Sequence, residues 1–189
     1  IGGYCILNDW SARDIQFWEM APLGPFQGKN FATSLSPWIV TMEALAPFRL
    51  PFTRAEEHPQ PLPYLDGAAL RSHGGLDIGL SVSLQTAQMR SQGQAAQEIS
   101  RTNFKHQHWC VSQMVVQHTI GGCNLRAGDV LGTGTVSGPT EAEAGAIIEL
   151  AKAGQQPITL VSGEQRSFLL DGDAIVLRGR CERPGAVPI

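Results

Sequence analysis

Apolar residues in this chain come in short runs cut by glycine and proline, of which there are 21 and 12. Ile1-Gly2-Gly3-Tyr4-Cys5-Ile6-Leu7 reads as a buried strand, and a second runs through Pro37-Trp38-Ile39-Val40. Leu76 to Leu84 alternates strictly: Leu76, Ile78, Leu80, Val82 and Leu84 form an apolar side opposite Asp77, Gly79, Ser81 and Ser83, the pattern of a half-buried strand. Residues 97–102 read as its continuation. Further short strands are expected at 145–151, 157–161, 166–170 and 174–181, with Asp171-Gly172 as a turn. Only two stretches read as helix. Ser11-Ala12-Arg13-Asp14 resembles a capping box opening a helix to about Glu19, and Asn103 to Ile120 reads as the one long helix, stopped by Gly121-Gly122. Residues 51–75 read as a surface excursion with at most one short strand. Many short strands with two helices are not an alternating βα series. The pattern favours the α+β class with a mixed, mostly antiparallel sheet.

A chain of 189 residues fits one domain, 1–189, with a substantial core. Charged residues make up 16%, against about 25% in ordinary domains. Large interfaces or buried polar sites are one way to need so little charge. The formal net charge is −3, and Lys and Arg number 14 against 17 acidic residues. Without a clustered cationic face, nucleic acid is set aside as a partner. No stretch approaches the ~20 apolar residues of a membrane span. Cys5, Cys110, Cys123 and Cys181 form no C-x-x-C pair, so reduced thiols in a cytoplasmic protein are expected. The chain begins with Ile inside what reads as a core strand, which leads us to expect a segment before it.

The densest polar constellation is Asn8 to Gln16. If a helix begins here, Asp9, Arg13, Gln16 and Met20 lie at i, i+4, i+7 and i+11, along one face. A carboxylate heading such a row can bind a hard cation, and the guanidinium and amide behind it can receive oxyanion charge. A capped helix with an exposed charged face explains the same spacing. Lys29 follows a Pro/Gly loop, where a lysine is ordinarily solvated. Gly132 to Pro139 can present backbone N–H groups to an anion or simply turn between strands. Glu149 sits among Ile147, Ile148 and Leu150, either at an edge facing water or held inside by a partner. No nucleophile motif is present, so a hydrolase built on this chain needs activated water.

Taken together, Asn8-Asp9-Trp10-Ser11-Ala12-Arg13-Asp14-Ile15-Gln16, Pro22-Leu23-Gly24-Pro25-Phe26-Gln27-Gly28-Lys29, Ser36-Pro37-Trp38, Pro61-Leu62-Pro63-Tyr64-Leu65, the Gly122–Asp129 run, the Thr135–Pro139 run and Leu169–Asp173 strongly resemble the fumarylacetoacetase family. The likeness runs through nearly the whole chain in order. It implies a mixed β-sandwich roll and a homodimer. The implied reaction is cleavage of a carbon–carbon bond in fumarylacetoacetate, giving fumarate and acetoacetate in tyrosine breakdown. It further implies a divalent cation, calcium or magnesium. Asp9 matches one of its ligands, with Lys29 and Thr33 close by. Arg13, Gln16 and Lys29 match the group that stabilises the oxyanion or carbanion. Gln16 and Thr135 match substrate contacts, and Glu149 matches the carboxylate that orients a catalytic histidine. Two departures follow. Met20 stands where the family usually has Tyr, losing an O–H donor. The general-base His, the remaining cation carboxylates and an Arg and Tyr substrate clamp belong upstream of Asp9. The chain alone is therefore expected to hold a cation weakly and not to turn over. The alternatives kept open are another oxo-acid enzyme of the same superfamily (acylpyruvate hydrolase, decarboxylase, hydratase or isomerase) or an inactive fragment.

Overall fold

Every strand pairing in this chain is antiparallel. The computed structural model describes residues 1–189, which form two compact units, Ile1–Leu45 and Ala46–Ile189. The first contains β1 (Gly3–Tyr4), β2 (Leu7–Asp9), α1 (Arg13–Glu19), α2 (Gln27–Asn30), β3 (Thr33–Leu35) and β4 (Val40–Thr41). The second contains β5 (Arg49–Leu50), α3 (Ala68–His73), β6 (Gly75–Leu76), β7 (Gly79–Gln85), α4 (Ala87–Ser91), β8 (Gln97–Asn103), α5 (Val111–Ile120), α6 (Ile147–Leu150), β9 (Ile158–Thr159), β10 (Gln165–Arg166) and β11 (Ala174–Arg180). Few helices and small antiparallel sheets make this an α+β fold. The widest sheet has three strands, in the order β11-β7-β8, and four two-stranded sheets complete the set. No strand pairing joins these sheets into one continuous roll.

In the first unit, β1 pairs with β4 and β2 with β3. Gly3 permits the first pairing, because a Cβ there would stand 2.4 Å from the Val40 carbonyl oxygen. Helix α1 draws on strong helix formers such as Arg13, Gln16 and Glu19. It ends before Pro22, which disfavours helical backbone in the preceding residue. The expected capping box does not form. Ala12 is the N-cap residue, without a side-chain bond. The Ser11 hydroxyl donates to the Asp9 carbonyl at 3.2 Å and accepts from Lys29 Nζ at 2.8 Å.

The second unit owns the core. Leu84, Met89 and Leu160 are buried against Ile99, Ile158, Leu169 and Ile175. A bulge between Val82 and Ser83 shifts the ladder between β7 and β8. Both Ser83 and Leu84 are then buried, which breaks the alternation read from sequence. Residues 97–102 do not continue β7. They belong to β8, which returns beside it after α4, a helix capped by Thr86 accepting from the Met89 N–H. The Asp171-Gly172 turn forms, with Asp173 N donating to the Leu170 carbonyl at 3.0 Å.

Other expectations fail locally. The buried strand over residues 1–7 is broken into β1 and the start of β2 and has no buried residue, and the strand at 166–170 is confined to β10. The long helix from Asn103 is a 3-10 turn over Phe104–His106 followed by α5. The Asn103 side chain caps the first piece, and Gln113 Oε1 accepts from Cys110 N at 3.1 Å to start the second. The stretch 145–151 holds the helix α6, not a strand, since a four-residue apolar run cannot tell the two apart. The excursion 51–75 contains α3 and a 3-10 turn at Pro63–Leu65. The expected strand at 37–40 is confined to β4.

A polar network holds this core. Arg166 donates from Nε and Nη2 to the two carboxylate oxygens of Asp173, at 2.8 and 3.0 Å, and from Nη2 to Glu164 at 3.1 Å. Glu164 also accepts from the Thr86 hydroxyl. The Asp173 side chain is only 1% exposed. Arg166→Met would strand that carboxylate, and a buried ion pair broken on one side costs about 3–5 kcal/mol. Urea denaturation of the variant checks this, and a loss below about 1 kcal/mol would contradict the picture.

Candidate functional site

Three expected residues meet in the first unit. Asp9 ends β2 opposite Thr33 in β3. Lys29, from α2, reaches the same edge: its Nζ lies 3.0 Å from Asp9 Oδ2 and 2.8 Å from Ser11 Oγ. Arg13 and Gln16 share a face of α1, where Arg13 Nη1 donates to Gln16 Oε1 at 2.8 Å. Asp9, however, lies on a strand. The proposed helical row therefore begins at Arg13, and the Asp9 carboxylate is tied to Lys29 instead. Met20 closes α1 with its side chain exposed.

Tight packing holds α1 against α2. Ala12 N donates to the Gly28 carbonyl at 2.9 Å. A Cβ on Gly28 would lie 2.7 Å from Gln16 N and 2.8 Å from Gln16 Cα, so only glycine fits. Glu19, at the end of α1, accepts from three consecutive backbone N–H groups: Phe26 at 2.7 Å, Gln27 at 2.9 Å and Gly28 at 3.0 Å. These bonds, led by Gly28 and then Phe26, hold the Glu19 carboxyl below the usual glutamate range. Sequence reading missed Glu19. Its only signal was an acidic residue nine positions before a Gly-Lys pair.

Thr135 and Glu149 belong to the second unit. The exposed Glu149 accepts from the Ser137 hydroxyl at 2.7 Å, and Ser137 Oγ accepts from Gly145 N at 3.0 Å. The edge-facing alternative for Glu149 holds. A Cβ on Gly145 would stand 2.6 Å from the Thr135 methyl and 2.4 Å from the Val136 carbonyl. Ser137 and Gly145 thus tie the Thr135 segment to the Glu149 helix, a link no motif announced. The run Gly132–Pro139 forms neither helix nor strand.

A family profile described as "Fumarylacetoacetate (FAA) hydrolase C-terminal" matches residues 1–185. The chain belongs to this family. It is 46% identical over 185 residues to the fumarylacetoacetase of Homo sapiens, covering 98% of this chain and 42% of that protein. It is 47% identical over 186 residues to the fumarylacetoacetase of Caenorhabditis elegans, with the same coverage, and 45% identical over 185 residues to that of Arabidopsis thaliana. The chain therefore spans less than half the length of these relatives.

The residues present do not by themselves fit a hard cation. Asp9 is the one carboxylate at this edge, and its Oδ2 is engaged by Lys29. No group of three or more His, Cys, Asp or Glu side chains able to hold a metal exists in the chain, whereas calcium takes six to eight oxygen ligands. What the first unit does offer is a half-exposed carboxylate beside one ammonium, and a guanidinium oriented by an amide. Such donors suit an oxyanion held at a fixed place.

The Glu19 clamp responds to pH. A carboxylate whose pKa falls on folding adds stability above its unfolded value, ordinarily 4.5, and that contribution disappears as pH drops through the folded value. The amide resonances of Phe26, Gln27 and Gly28 should titrate together with a midpoint below 4.5. An acid titration followed by NMR checks this, and a midpoint at or above 4.5 would contradict it.

Proposed function

We propose that this chain is the greater part of the catalytic region of a fumarylacetoacetase, and that the whole protein hydrolyses a carbon–carbon bond of fumarylacetoacetate to give fumarate and acetoacetate. The observation that supports this reading most is the Lys29–Asp9 contact at the strand end where Asp9 pairs with Thr33, together with the hydrogen-bonded Arg13–Gln16 pair of the same unit, in a chain 46% identical to fumarylacetoacetases.

Water adds to one carbonyl of the dioxo substrate, and the bond to the neighbouring methylene carbon then breaks. The electron pair leaves as an enolate that takes up a proton. Arg13, Gln16 and Lys29 donate to the oxyanion and to the departing enolate. Gln16 and Thr135 contact the substrate, and Glu149 orients a histidine that draws the proton from water. That histidine lies outside this chain, as do the remaining acidic ligands. Calcium or magnesium is read as bound only in the whole protein, with Asp9 as this chain's ligand and Lys29 and Thr33 beside it. Ten large apolar side chains between Ile15 and Ile39 are exposed, among them Trp18 at 90%, Leu23 at 96% and Trp38 at 80%. Bare apolar surface of this extent supports cover from the rest of the protein and from a second copy, hence a homodimer. No helix is long and apolar enough to cross a membrane and all four cysteines are free. Both facts fit a cytoplasmic setting.

The full-length protein should cleave fumarylacetoacetate, lose activity to EDTA and regain it with calcium or magnesium. Lys29→Met should lower kcat by about 100- to 1,000-fold, the usual cost of one oxyanion donor. Loss of absorbance of the substrate follows the reaction, and full activity in the variant would remove Lys29 from the mechanism.

Met20 favours a second reading, an oxo-acid enzyme of the same superfamily with another substrate. Its exposed thioether has no hydroxyl to donate. A panel of acylpyruvates, oxaloacetate and fumarylacetoacetate separates the two. If fumarylacetoacetate is the substrate, Met20→Tyr should lower KM for it. If acylpyruvates or oxaloacetate turn over faster in the unmodified protein, the sister reading holds.

A further inference from the structure

We propose that Glu19 is a positioning residue for Lys29: its carboxylate gathers the backbone N–H groups of Phe26, Gln27 and Gly28 and so fixes the turn that delivers the Lys29 ammonium to Asp9. The inference rests on the reading of Lys29 as an oxyanion donor.

Helix α2 has only four residues, far fewer than a helix needs to persist alone. No apolar side chain anchors it. Gly28 is its only buried residue, and the preceding Leu23 and Phe26 are 96% and 68% exposed. The Lys29 backbone is therefore placed by hydrogen bonds and one close contact, not by a core. Three of those bonds end on Glu19. They are divided between its oxygens, with Oε2 taking Phe26 and Gly28 and Oε1 taking Gln27. Both oxygens are needed as acceptors. A glutamine would turn an N–H₂ toward at least one N–H, and an aspartate would fall short by one methylene. Glu19 also lies three residues after Gln16 on α1, so one helix carries both a donor and the clamp that sets the next donor. Lys29 has a four-carbon flexible stem. Holding its Cα fixes the point from which that stem reaches Asp9 and Ser11.

The test is a double-mutant cycle in the full-length protein, with kcat and KM for fumarylacetoacetate measured for the unmodified protein, E19Q, K29M and E19Q/K29M. A displaced catalytic group costs up to about 100-fold. E19Q should lower kcat by about 10- to 100-fold with KM within about twofold, and the double variant should be no slower than K29M. A double variant slowed by the product of the two single effects would overturn the proposal, because Glu19 would then act by a route other than Lys29. So would E19Q with unmodified kinetics, or one in which only KM rises. If E19Q does not fold, E19D passes through the same cycle with the same expected pattern. If the unmodified protein leaves fumarylacetoacetate intact, the substrate reading fails, and NMR of the Lys29 ε-methylene decides the Glu19 inference separately. In E19Q that resonance should move toward the value of free lysine, and an unmoved resonance would overturn the proposal.

Discussion

The hold of one carboxylate, that of Glu19, on three successive N–H groups is the contact on which the polar geometry of the first unit hangs. That unit has almost no interior. Gly28 and Leu45 are its only buried residues, and its sheets are two strands wide. Isolated two-stranded ladders are marginal in water. Hydrophobic burial, which drives the folding of most domains, has little to act on here. Charge-assisted hydrogen bonds, about twice as strong as neutral ones, carry a larger share of the local order. Lys29 and Asp9 stand at the open edge of this arrangement, and Gly28 lets α1 and α2 approach closely enough for the clamp to close.

The second unit solves the same problem differently. Its polar network sits beside a real core: Arg166 is engaged by both Asp173 and Glu164, and Thr86 both caps α4 and donates to Glu164. The apolar cluster of Leu84, Met89 and Leu160 forms the core of the same unit. Placement of Thr135 and Glu149 is again indirect. The Ser137 hydroxyl joins their two segments by donating to Glu149 and accepting from Gly145. In both units the residues that carry a chemical motif are set in place by neighbours that carry none.

This division explains what could be read from sequence. Class was legible, because short alternating runs and turn residues leave few options besides small antiparallel sheets. Asp9, Arg13, Gln16 and Lys29 were legible because their types and order are distinctive. Their contacts were not. The helical row assumed for Asp9 required a helix that includes Asp9, but Asp9 ends a strand paired with Thr33, 24 positions away. No local rule sees a competitor at that distance. The helix from Asn103 failed for a related reason. Asn103 and Cys110 each cap a separate segment, and a cysteine in place of serine hid the second boundary. The apolar run at Ile147 failed because four residues are too few to express a period.

A motif residue and its support also differ in how substitution acts on them. A donor such as Lys29 can be replaced with little change to the fold, since its side chain is partly solvated. Glu19 bonds only to backbone, so any residue but proline, which has no N–H to donate, preserves the contact at 26 and 27, and Gly28 is constrained further by the approach to Gln16. The support is thus insensitive to most changes in the loop it holds and sensitive to a single change at its own position. A clamp of this kind leaves no sequence motif in the loop beyond one glycine. The polar geometry of the first unit therefore had to be found from coordinates, although every group that takes part in it stands in plain view in the sequence.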